Sequence, residues 1–272
     1  MADKVFAMAS NLDCLGLGVA TAEEFADLVE RIGPRASLVA RTDDGTELLR
    51  WEDPSGARLL LTRGKRGITR VVPSFGGERV VRLGGVRRVN GEAAVADVVV
   101  DGEMVTRLGI ELEELPLLGD SSYEGAASVV ALAPEVRFLA DAEAFAASDF
   151  SLLAGADAGP RPEHFDEDLP WPPRLAAESF IPTGMFASSE EGLRPVGLLN
   201  GVVRYAERRT TMLTGQEFVV VRVRSAGFEV DVCLPGGVDV PLPGVVLSAD
   251  VFLTGSVEMV LPVARRRWFL RR

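Results

Sequence analysis

Residues 36–62, ASLVARTDDGTELLRWEDPSGARLLLT, hold three strand-forming runs separated by two turn signals. Asp44-Gly45 suits a two-residue hairpin, because both central positions of such a turn need φ > 0 and this pair accepts it. Asp53-Pro54-Ser55-Gly56 reads as a longer turn, with Pro pre-setting φ and Gly closing it. The stretch is therefore expected to be an antiparallel three-stranded meander, with strands near 36–41, 46–52 and 57–62, and the rest of the chain is read around it.

A helix precedes the meander. Thr21 is placed to cap it and Glu24, three residues on, completes a capping box. Phe25, Leu28, Val29 and Ile32 then make one apolar stripe, and Gly33-Pro34 ends it. Before the helix, residues 4–9 and 15–20 compete for the role of a strand. After the meander, the glycine-rich stretch 63–79 reads as loop with a short strand at 69–73. A second meander spans 80–113, with Asn90-Gly91 and Asp101-Gly102 as its turns. Residues 104–113 alternate with period two, one face apolar. Residues 116–133 are mixed, with an apolar SVVALA run, and a short helix is expected near 134–147. Five prolines and an acidic cluster in 149–174 predict an extended linker. From about 180 the pattern is all-β, with strands near 196–206, 217–225, 228–234 and 244–258. A closed or nearly closed small barrel would remove the edges of so few strands. The fold expected is α+β and predominantly antiparallel β: a sheet domain over 1–118, a connector over 119–179, and a small β-barrel with a basic tail over 180–272.

With 47% apolar residues in 272, the chain has material for real cores. Its net charge of −11 argues against a dedicated nucleic-acid binder. That negative charge lies before residue 180; the remainder is slightly positive. Cys14 and Cys233 show none of the paired spacing of a zinc site or disulfide framework, so each reads as a buried thiol. MADKVFAMASNLD lacks a signal-peptide core, and no stretch approaches the roughly 18 apolar residues of a membrane span. The expectation is a soluble, cytoplasmic homo-oligomer.

The order helix, Ile32-Gly33, three-stranded meander and Asp53-Pro54-Ser55-Gly56 before an apolar strand resembles a βαβββ module of the glyoxalase-like, vicinal-oxygen-chelate family. The resemblance covers residues 1–62 and implies a sheet with a concave side. The family's metal ligands do not carry over. Leu59, Leu60 and Leu61 stand where its last strand brings a carboxylate, and residues 1–22 contain no His, Gln or Glu. Residues 180–262 look like an OB-type small barrel, with a first hairpin tip around Arg208 to Gly215.

Several motifs bear on chemistry. Gly16-Leu17-Gly18 before a helix resembles a dinucleotide loop, with Asp43 as its ribose acid, but the third glycine is Thr21 and a hairpin stands where a crossover helix is needed. His164, the single histidine, sits in the linker with no nearby nucleophile. Asp157, Glu163, Asp166, Glu167 and Asp168 lack EF-hand spacing. Trp51, with Leu49 on its own face, would line the concave side of a glyoxalase-like sheet, so these two are the ligand-binding candidates. Tyr205, Arg208, Arg209, Arg222 and Arg224 are the best case for a nucleic-acid or partner surface. No catalytic group, metal site or cofactor is expected. The reading is a non-catalytic binding or interaction protein, with a small organic ligand in the N-terminal sheet. A metal-independent enzyme using Asp, Glu and Arg groups is the alternative, and single-stranded nucleic-acid binding by the barrel comes third.

Overall fold

The structure is a computed structural model and describes residues 11–42, 44–119, 121–153, 159–163, 171–183 and 193–258. Helix α1 (Ala22–Ile32) forms where its capping box lies: the Thr21 hydroxyl accepts the Glu24 amide at 3.1 Å, and the Glu24 carboxylate reaches back to the Ala20 amide at 2.7 Å. Leu28 and Ile32 bury its apolar stripe. The strand expected at 15–20 does not form. Residues 11–13 make a helical turn, and the Leu15 and Leu17 amides both bond the Leu12 carbonyl at 3.0 Å. Leu12, Cys14, Leu15 and Leu17 are all fully buried. An apolar run signals burial, and a coiled-up turn supplies it as well as a strand does. Residues 4–9 lie outside the described residues.

Strands β1 (Ser37–Arg41), β2 (Glu47–Glu52), β3 (Ala57–Gly64) and β4 (Gly67–Phe75) form an antiparallel sheet in sequence order. The first turn is longer than the two-residue hairpin expected. It spans 42–46, with Gly45 at φ +84° and the Asp44 carboxylate accepting the Thr46 amide at 3.0 Å. β4 extends past the 69–73 expected and includes Pro73, tolerated because β4 is an edge strand.

The ten remaining strands share one sheet that closes on itself. They are β5 (Val81–Arg88), β6 (Ala94–Val100), β7 (Glu103–Leu112), β8 (Tyr123–Leu132), β9 (Arg137–Leu139), β10 (Ser179–Pro182), β11 (Val196–Thr210), β12 (Glu217–Ser225), β13 (Phe228–Pro235) and β14 (Val246–Val257). Eight of them form a closed barrel in the order β11-β12-β13-β8-β5-β6-β7-β14, with β14 returning to β11. The barrel thus takes strands from residues 81–132 as well as 196–257, where a self-contained one over 180–272 was expected.

Its two halves repeat one pattern. In each, a three-stranded meander is followed by a fourth strand antiparallel to the first: β8 on β5, and β14 on β11. The third strand of each half runs parallel to the fourth strand of the other, β13 with β8 and β7 with β14, while β8 and β14 pair antiparallel. Even the bulges correspond, in β5 between Gly84 and Arg87 and in β11 between Val203 and Tyr205. One apolar cluster fills the interior with side chains from every barrel strand, among them Leu83, Leu108, Val221 and Leu253. The connector contributes a shorter helix than expected, α2 (Ala142–Ala147), capped by the Asp141 carboxylate on the Ala144 amide.

A second core lies between the four-stranded sheet and the outside of the barrel. Leu49, Trp51, Leu59, Leu61 and Phe75 meet Leu28 and Ile32 of α1, the buried 11–17 turn, and Val130, Leu132, Phe218, Val220 and Cys233 of the barrel. Polar clamps hold the two parts together. The Asp53 carboxylate accepts the amides of Ser55, Met212 and Leu213 at 3.0, 3.1 and 3.3 Å. Thr211 donates to the Leu15 carbonyl at 2.6 Å, and the Gln216 side chain brackets Gly18 by donating to its carbonyl and accepting its amide.

Candidate functional site

The sheet face opposite the second core carries charge. Across β2, β3 and β4 the register places Arg50 beside Leu60, Arg58 beside Ser74 and Thr62 beside Arg70. This face meets the end of β7, where Glu111 and Glu113 are buried and the 3₁₀ turn Leu115–Leu117 begins just beyond Glu114. Glu113 takes Arg50 and Arg58, each at 3.4 Å, and accepts the Ser74 hydroxyl at 2.8 Å. Arg58 also reaches Glu52 at 2.7 Å, and Arg70 pairs with Glu111. Carboxylates from a barrel strand thus neutralise arginines from the sheet, which a buried charge requires.

Beside this network, sheet and barrel part to leave an open cleft of about 510 Å³. Thr42, Asp44 and Thr46 come from the β1–β2 loop, Thr62 from β3, Thr69 and Arg70 from β4, Arg88 from β5 and Pro116 from the 3₁₀ turn. Below it, Leu48, Leu60 and Val72 form a small apolar cluster against Leu117. Arg88 is exposed and donates its Nε to the Asn90 carbonyl at 3.2 Å. Arg70 donates to the Gly91 carbonyl at 2.7 Å. Burial lowers the pKa of Arg70, and the nearby charge of Arg88 adds to this against the opposing pull of Glu92. A hydrogen bond from the Thr42 hydroxyl holds Asp44 below the usual carboxylate range, so it is ionised. Hydroxyls and guanidiniums on a rigid sheet, over an apolar base, suit a small polar molecule with an anionic group.

Glu114 stands just outside the cleft. Burial raises its carboxyl to about 7, opposed by the bond it accepts from the Val257 amide and supported by the charge of Glu113. A carboxyl whose folded pKa exceeds its unfolded value stabilises below the unfolded pKa and loses that contribution as pH rises through the folded one. The protein should therefore lose about 2 kcal/mol between pH 5 and pH 8 from this group, after discounting for its partial exposure. Glu114→Gln keeps the acceptor for Val257 and should remove that component, as urea titrations at both pH values would show. An unchanged pH dependence in the variant would place the titration elsewhere.

The residues singled out from sequence lie apart from the cleft. Trp51 and Leu49 are 5% and 4% exposed and pack in the second core, on the opposite face of the sheet. Tyr205 is exposed, with the Arg222 guanidinium 5.8 Å from its ring centre. The four arginines beside it have protein partners. Arg208 bonds the carbonyls of Gly236 and Val238, and Arg209 bonds Ser55 O and Glu207. Arg224 holds Glu178 through two bonds, and Arg222, 3% exposed, grips Asp231 at 2.6 and 3.0 Å. In the Gly16–Gly18 loop, Gly18 donates its amide to Gln216 at 2.8 Å. His164, Asp157 and Asp166 to Asp168 lie outside the described residues, as does the basic tail. Among the described residues no helix is long and apolar enough to cross a membrane, and no three His, Cys, Asp or Glu side chains are grouped to hold a metal ion.

No protein-family model, curated protein or solved structure matches this chain. The likenesses to a glyoxalase-like module and to an OB-type barrel gain no support from these comparisons.

Proposed function

We propose that this protein is a non-catalytic binding protein that holds a small, anionic organic molecule in the cleft between its four-stranded sheet and its barrel. The observation that carries this reading is the cleft itself, about 510 Å³ lined by four threonines, two arginines, Asp44 and Pro116. The ligand site stays on the N-terminal sheet, but on the face of Thr62 and Arg70 instead of that of Trp51. Arg88 is the anchor, because it is exposed at the cleft while Arg70 is tied to Glu111. Glu113, one carboxylate that an Asp/Glu/Arg enzyme could use, is held between two arginines and a serine.

Native mass spectrometry of protein purified without denaturation should show a retained small-molecule mass. Titration calorimetry with inorganic phosphate and with simple dicarboxylates should show saturable binding. Arg88→Ala should weaken that binding about tenfold, the worth of one charge-assisted hydrogen bond of roughly 1.5 kcal/mol. Its melting temperature should stay unchanged, since the side chain is exposed. A clean apo mass with no binding of either anion class would sink this reading and leave an interaction role in front.

A further inference from the structure

Among its hydroxyls and guanidiniums the lining of the cleft holds one carboxylate, Asp44. Asp44 is exposed, and its carboxylate accepts the Thr42 hydroxyl and the Thr46 amide, both uncharged. Those bonds favour the ionised form, so Asp44 stands in the cleft as an anion. The cations on the neighbouring strands are held elsewhere: Arg41 and Arg63 are both paired with Glu47, and Arg70 with Glu111. Arg88 donates to the neutral Asn90 carbonyl. Among the described residues, the cleft therefore presents two charges without an opposite partner, one of each sign: Asp44 from the β1–β2 loop and Arg88 from β5. A ligand bearing acid groups alone would satisfy Arg88 and be repelled by Asp44. One that also bears a cation turns that repulsion into a charge-assisted hydrogen bond.

We infer that the ligand of the cleft is an amino dicarboxylate, held with its ammonium on Asp44 and one carboxylate on Arg88. The inference rests on the reading of the cleft as a site for an anionic organic molecule, and it narrows that class. A molecule that is net anionic and carries one ammonium needs two acid groups. The second acid group falls to the Thr62 hydroxyl and the Arg70 guanidinium, which line the cleft from paired positions of β3 and β4. Asp44 is then the residue that sets specificity. It rewards the ammonium and penalises a plain dicarboxylate of the same length.

Titration calorimetry on the full chain tests this by comparing succinate with aspartate and glutarate with glutamate. Each pair shares its acid groups and differs by the ammonium. In at least one pair the amino member should bind about tenfold more tightly, the worth of one charge-assisted hydrogen bond. Acetylating that amine should remove the advantage. Asp44→Asn keeps an acceptor for the Thr46 amide, should erase the preference, and should bind the plain dicarboxylates more tightly than the wild type does, because a repelling charge is gone. Equal wild-type affinities within both pairs, or a preference that survives in Asp44→Asn, would overturn the inference and leave an anion site standing in the cleft. Binding of none of these compounds, nor of phosphate, would remove the anion-site reading and the inference together. The wild-type comparison needs no variant to fold.

Discussion

Replacing Asp231 with Ala should lower stability by about 3–5 kcal/mol, measured by urea titration. Arg222 and Asp231 are neighbours across β12 and β13 on the outside of the barrel, and each side chain is only 4% exposed. Two parallel hydrogen bonds satisfy the guanidinium, and Glu78 adds a third at 3.1 Å. Removing the carboxylate leaves a buried cation with only the exposed Glu78 and Glu229 near it. The pair itself need not stabilise the fold, since desolvating two charges offsets their attraction. The double variant Arg222→Met/Asp231→Leu should therefore recover most of the loss. Equal losses in the single and double variants would show that packing, not the orphaned charge, sets the cost.

Gly255→Ala should cost about 3 kcal/mol or more, through sterics alone. Gly255 lies in β14 where three strands meet: it faces Val129 of β8 and Leu112 of β7, and its carbonyl accepts the Glu113 amide at 2.8 Å. An added Cβ would stand 2.1 Å from the Ser128 carbonyl oxygen. That atom belongs to a paired backbone, so relief means parting β8 from β14. Gly237, with no heavy atom within 4 Å of its notional Cβ, is the control, and Gly237→Ala should be near neutral. Thermal melts of the two variants decide the matter, and similar melting points would refute the crowding argument.

Much of the local structure was legible in the sequence. The strands expected near 196–206, 217–225 and 228–234 formed at Val196–Thr210, Glu217–Ser225 and Phe228–Pro235, because alternation and turn glycines are local signals. Asp101 and Gly102 both adopt positive φ, as a tight hairpin turn demands. β8 was harder to see. Ser128 to Leu132 are all buried, so the strand shows a continuous run instead of alternation. Its partners β13 and β14 lie over a hundred residues downstream, which no local pattern encodes. The cleft escaped for a related reason. Its lining is spread from Thr42 to Pro116 and makes no motif. One signal was available: Arg50, Arg58 and Arg70 share strand faces with Leu48, Leu60 and Val72. Arginines mixed into an apolar face imply buried acidic partners, which Glu111 and Glu113 supply.

The exchange of strands between the barrel's two halves governs how the molecule is made. The 81–132 half leaves the ribosome first, yet β7 and β8 find their parallel neighbours only in β14 and β13. Until then it exposes open sheet edges, and the barrel closes only when β14, its last strand, arrives to bridge β11, β8 and β7. Closure is therefore a late step dominated by contacts distant in sequence, the condition for slow folding and for a nascent chain that depends on protection from aggregation. Neither half holds all the strands of the closed barrel, so a dissection that keeps the barrel whole has to keep residues 81–257 together.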